Sequence, residues 1–103
     1  MILFKNVNFE PGKIVYNDIQ IDEHDSIENQ LDNLKEDLFQ VNYDNRFIID
    51  IGWFPSFSKD GHFRVVIIED FEWEKPIYQK ICRTVVELKK YIEESVTAVK
   101  SKL

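Results

Sequence analysis

Asp50 is the residue best placed for acid–base chemistry. It interrupts Arg46 to Phe54, a run that is otherwise apolar on almost both of its alternating sides. A carboxylate in such a run costs free energy unless it is paired or solvated. Combined with Glu69 or Asp70 on a neighbouring strand, it could hold a cation or act as an acid–base pair. A small metal-dependent hydrolase or nuclease using Asp50 is therefore one reading. Such a nuclease would normally add a lysine in tight spacing with its acids and would have to meet an anionic substrate. The plainer role for Asp50 is structural, accepting a bond from a backbone amide or from an arginine such as Arg64.

Other chemistries find less support. His24 and His62 stand alone, without the His-x-His or His-x-x-x-His spacing of a metal site, so no metal is expected. Cys82 is the single cysteine and reads as a small apolar residue in or beside a sheet. Gly12, Gly52 and Gly61 are isolated and make no phosphate cradle, and no cofactor is implied.

A third group of residues combines rings with acids. Trp53, Phe54 and Phe57 flank Pro55, while Phe71 and Trp73 alternate with Asp70, Glu72 and Glu74. Exposed aromatics beside carboxylates suit a basic protein partner, and tryptophan is enriched where binding energy concentrates. Trp53, Phe57 and Trp73 are the expected anchors, with Asp50, Glu69, Asp70, Glu72 and Glu74 as the charge set. The alternative is that Trp53 and Phe71 fold back onto the sheet as core. A rival acidic patch is Asp22, Glu23, Asp25, Glu28 and Asp32, and nothing in the sequence ranks the two.

Charge favours the same kind of partner. The chain carries 19 acids and 13 bases, net −6; residues 1–75 hold 16 acids and 7 bases, net −9, and residues 76–103 hold 3 acids and 6 bases, net +3. So acidic a body repels nucleic acid and anionic lipid, and speeds encounter with basic proteins. The apolar runs fall far short of the roughly 20 residues that cross a bilayer. Met1 to Phe4 is followed at once by Lys5, unlike a signal peptide. With a lone cysteine, these features point to a cytoplasmic protein.

The elements that would position these residues are read from periodicity. The 103 residues suit one domain, with 44% hydrophobic residues. Ile2 to Phe9 and Ile14 to Ile21 predict a hairpin joined by a type II turn at Pro11-Gly12, with a bulge near Asn17-Asp18. Asp25 and Glu28, with Ser26 as a rival cap, open a helix whose stripe is Ile27, Leu31, Leu34 and Leu38, ended by Asn42 to Asn45. Arg46 to Phe54 and His62 to Glu69 form an antiparallel pair, and Ile77 to Arg83 a shorter strand. Thr84 and Glu87 cap a final helix bearing Val85, Leu88, Ile92, Val96 and Val99. The sum is an α+β domain: an antiparallel sheet of about five strands with two amphipathic helices, in the order β-β-α-β-β-β-α.

The run Asp50-Ile51-Gly52-Trp53-Phe54-Pro55, then Asp60-Gly61, the strand Phe63 to Ile68, and Trp73-Glu74-Lys75-Pro76-Ile77 resemble a signature of bacterial immunity proteins of contact-dependent growth inhibition and related polymorphic toxins. The resemblance covers roughly the C-terminal two thirds. It implies a cytoplasmic, non-enzymatic protein that binds one cognate toxin domain, often a basic nuclease, and keeps it inactive. An interaction module with an unrelated partner would present the same surface.

Overall fold

Alternation of apolar side chains builds the centre of the molecule. The structure, a computed structural model, describes residues 3–103. Strands β1 (Lys13–Asn17), β2 (Phe39–Tyr43), β3 (Phe47–Phe54), β4 (His62–Glu69) and β5 (Tyr78–Cys82) form one antiparallel sheet in sequence order. Phe39, Val41 and Tyr43 of β2 lie across from Ile51, Ile49 and Phe47 of β3. Ile49, Ile51 and Trp53 in turn face Ile67, Val65 and Phe63 of β4. All of these side chains point to one face and are buried in a single core, each burial worth roughly 1.5–3 kcal/mol.

That face is covered by helix α1 (Val85–Lys100), which buries Leu88, Ile92, Ser95, Val96 and Val99. Thr84 caps it as its spacing from Glu87 predicts: the Glu87 amide donates to Thr84 Oγ1 at 3.2 Å, and that hydroxyl donates to the Glu87 carboxylate at 2.9 Å. The remainder is covered by the N-terminal segment, where Phe4 and Phe9 pack their rings against Phe39 at 5.4 Å. Lys100 Nζ reaches the Asn8 carbonyl and ties helix and segment together. Among the described residues the opposite face has a small buried cluster, Ile48, Val66 and Ile68.

The fold is thus the small α+β arrangement of five antiparallel strands and two helices, but the elements of its first half sit elsewhere. Of the expected strand Ile2 to Phe9, Ile2 lies outside the described residues, and Leu3 to Phe9 pack as turns and irregular chain over the core. Glu10–Pro11 is cis, and Gly12 N donates to Phe9 O at 2.8 Å. Proline therefore stands third in a type VI turn rather than second in a type II turn. β1 pairs with β2, and its bulge falls between Ile14 and Tyr16.

The first helix is a 3₁₀ helix, Ile27–Asn33, interrupted at Gln30 (φ −128°). Beyond it the chain is extended, because the sheet competes for its backbone. Leu34 O accepts from Phe57 N, Lys35 O from Trp53 N, and Leu38 N donates to Ile51 O. The stripe Leu34–Leu38 is buried as expected, but by edge-on docking to β3 rather than on a helix. Strand β2 comes next, and Asp44-Asn45 is its hairpin turn to β3. Both residues are left-handed (φ 56° and 58°), and Arg46 N donates to Tyr43 O at 3.0 Å, a type I′ turn.

Candidate functional site

The expected anchors and charges do not form one patch. Trp53 projects into the core face, 0% exposed, with its ring edge-on to Phe63 at 4.9 Å and its indole N–H donating to Ser58 O at 2.8 Å. It fills the core and holds the β3–β4 loop, so it is corrected from interface anchor to structural residue. The alternation along β3 demands this, since Trp53 shares its side with Phe47, Ile49 and Ile51.

Asp50 lies on the opposite face, mid-strand, across from Gln40 and Val66. Its carboxylate accepts from Gln40 Nε2 at 2.8 Å. Burial pushes its pKa up; the Gln40 bond and the more distant Arg64 oppose the shift, while Asp37 adds to it. The Arg64 guanidinium is stacked on Phe54, 4.4 Å from the ring centre. Glu69 pairs with Phe47 and so shares the helix-side face, away from Asp50. The pairing of Asp50 with Glu69 or Asp70, on which a hydrolytic site would rest, is not assembled. Among the described residues no three His, Cys, Asp or Glu side chains come together to hold a metal ion. Cys82 is buried, with its thiol pushed up to about 11 by desolvation.

The β4–β5 loop does bring rings and acids together. Asp70, Phe71, Glu72, Trp73 and Glu74 are all exposed, Phe71 at 53% and Trp73 at 48%. Glu69 half-buries its side chain at the base. Asp70 and Phe71 are left-handed (φ 53° and 61°), and Glu72 N donates to Glu69 O at 3.0 Å. Trp73 N to Phe71 O, Lys75 N to Glu72 O, and Asp70 N to Arg46 O continue the bracing. The loop is a rigid turn abutting the Asp44-Asn45 hairpin, and its shape is fixed by main-chain bonds. A phenylalanine with positive φ is an outlier that packing must offset; here the ring is presented to solvent. Phe71 joins the surface, and it was visible in the sequence only as one ring of the alternating run.

Phe57 is equally exposed at 53%, and also left-handed (φ 62°), but it sits on the β3–β4 loop. The eight-residue strands β3 and β4 separate the two loops by roughly 25 Å. Phe57 is therefore not part of the Phe71–Trp73 surface.

The rival patch is ordered by its own bonds. Gln30, buried, accepts from Asp22 N and donates to the carbonyls of Asp22, Asp25 and Ser26. Asp22 Oδ1 accepts from His24 N, Asp25 Oδ1 from Ser26 N and Asn29 Nδ2, and Glu23 is ion-paired with Lys89, which lowers its pKa. Three of its five carboxylates thus stabilise the loop that carries them. The Asp70, Glu72 and Glu74 carboxylates make no hydrogen bond or ion pair among the described residues.

No helix is long and apolar enough to cross a membrane among the described residues. No family model, curated protein or solved structure matches the chain.

Proposed function

We propose that the protein is an immunity protein that binds a cognate toxin domain, a basic nuclease, and blocks its active site with the β4–β5 loop. One observation carries this reading: a braced turn exposes Phe71 and Trp73 between three carboxylates that have no internal partner among the described residues. Rings that remain exposed on a rigid turn can be buried on association with little ordering cost. Carboxylates around them can pair with the lysines and arginines that a nuclease uses for phosphates, excluding substrate from the cleft. The net charge of −6 adds long-range attraction to a basic partner.

The resemblance of the Ile51-Gly52-Trp53-Phe54-Pro55 run to immunity proteins supplies the partner class. In this structure the run is architectural, since Trp53 is core and Gly52 lies against the main chain of Glu36 in the 34–38 segment. Binding is carried by residues 70–74.

The test is association with the basic domain encoded by the adjacent upstream gene, measured by calorimetry at low and physiological salt. A tight complex is expected, with Trp73→Ala weakening it by roughly 30-fold or more, a hot-spot loss of about 2 kcal/mol. Added salt should slow association more than it speeds dissociation. No complex at low salt, or an unchanged affinity for Trp73→Ala, overturns the assignment.

A further inference from the structure

The β4–β5 loop encloses a hollow as well as exposing rings. Phe71, Glu72, Trp73, Glu74 and Lys75 line a recess of about 360 Å³. The backbone around it is drawn tight, with Trp73 N donating to Phe71 O at 2.9 Å and Lys75 N to Glu72 O at 3.0 Å. The recess is therefore formed before anything enters it, which lowers the ordering cost of binding.

Elsewhere the chain covers ring faces with its own cations. Arg64 lies 4.4 Å from the centre of the Phe54 ring and Arg46 4.9 Å from that of Phe47, while Lys80 and Lys90 approach Tyr91 at 5.8 and 5.9 Å. Among the described residues no cation stands over Phe71 or Trp73, and Lys75 forms an ion pair with neither Glu72 nor Glu74. Arg46, whose carbonyl accepts from Asp70 N, is turned onto Phe47 instead. Residues 69–75 carry four acids and one base, net −3, so Lys75 does not neutralise the recess.

These walls select among occupants. An apolar side chain would cover the rings but strip water from carboxylates without pairing them. An ammonium would pair the carboxylates, yet it is compact and strongly hydrated, and this chain's own lysines stand farther from their ring than its arginines do. A guanidinium is flat and weakly hydrated: it stacks on a ring while its edge donates to carboxylates. We infer that the recess seats a single arginine side chain of the partner protein, its guanidinium flanked by Phe71 and Trp73 and bonded to Glu72 and Glu74. The inference deepens the toxin-binding reading, on which it rests only for the protein that carries the arginine: the rings recognise a cation rather than apolar surface.

The probe is Nα-acetylarginine amide. It is compared with Nα-acetylcitrulline amide, which keeps the shape without the charge, and with Nα-acetyllysine amide. Each is titrated into the full chain at constant ionic strength, up to roughly 50 mM so as to pass a millimolar dissociation constant, and read from N–H shifts in NMR spectra. The arginine probe should saturate at roughly 1–10 mM. It should move the Trp73 indole and the amides of residues 71–75, while the buried Trp53 indole, bonded to Ser58 O, stays in place. Citrulline should bind at least about 10-fold more weakly and lysine at least about 3-fold. Trp73→Leu, and Glu72→Gln with Glu74→Gln, should each weaken arginine binding by about 3-fold or more, with spectra that show the fold intact. No saturable shift, equal binding of citrulline or lysine, or variants that bind arginine normally overturns the proposal. A toxin complex that is weakened by Trp73→Ala while the probe fails to bind sinks this inference and leaves the toxin reading standing. A probe that binds as expected with no toxin complex does the reverse.

Discussion

The main-chain carbonyl of Glu36 lies directly over Gly52: a Cβ built on Gly52 would fall 1.9 Å from the Glu36 oxygen. That contact exists because residues 34–38 dock edge-on against β3, with Lys35 O accepting from Trp53 N and Leu38 N donating to Ile51 O. Backbone cannot swing away as a side-chain tip can. Gly52→Ala is therefore expected to destabilise the protein by about 3 kcal/mol or more, at the upper end of overpacking effects. Urea unfolding checks this, and a loss below about 1 kcal/mol would show that the 34–38 segment moves freely.

Phe57 and Phe71 provide a matched pair, since both are exposed phenylalanines with positive φ at opposite ends of the sheet. Asparagine tolerates the left-handed region better. Phe57→Asn and Phe71→Asn should each raise stability by up to about 1 kcal/mol. Only Phe71→Asn should weaken toxin binding, by about 10-fold or more. Equal effects of both on binding would place the interface elsewhere.

Tyr43 Oη is buried without a hydrogen-bond partner among the described residues, and desolvation pushes the phenol up to about 12. Removing a hydroxyl that makes no bond removes a desolvation cost and little else. Tyr43→Phe should be neutral or stabilising by up to about 1 kcal/mol in thermal unfolding. A substantial loss of stability would mean that the hydroxyl has a partner.

Asp50 should make stability depend on pH in an unusual direction for a carboxylate. Burial raises its folded pKa above the ordinary 3.8, so the folded state binds the proton more tightly than the unfolded chain. The contribution is fully present below the unfolded value and is lost as pH rises through the folded one. Asp50→Asn can still accept from Gln40 and stays neutral at all pH. Its melting temperature relative to the wild type should climb from about pH 3 to about pH 7, a range taken to bracket the carboxyl titration. A difference that stays flat or falls would refute the burial argument.

The second half of the chain was legible because its signals are local. Thr84 and Glu87 make the cap their spacing announces, and β3, β4 and β5 fall where alternation places them. The first half was not, because Ile27, Leu31, Leu34 and Leu38 fit a helical stripe while Phe39, Val41 and Tyr43 fit a strand. Spacing alone does not say where one period gives way to the other. The hairpin turn at Asp44-Asn45 was the available clue, since both residue types tolerate positive φ.

For the surface, residue type by itself settled that acids and rings adjoin along 69–74 and that the body of the chain is acidic. Which rings are available was decided by tertiary structure. Trp53 and Trp73 are the same side chain and each stands a few residues before a proline, yet one points into a sheet face sealed by α1 and the other stands on a turn in water. Side-chain direction depends on which strand lies across and which layer covers it, a property of partners far along the chain. Likewise Asp50 and Glu69 came apart because the register of β3 against β4 puts them on opposite faces.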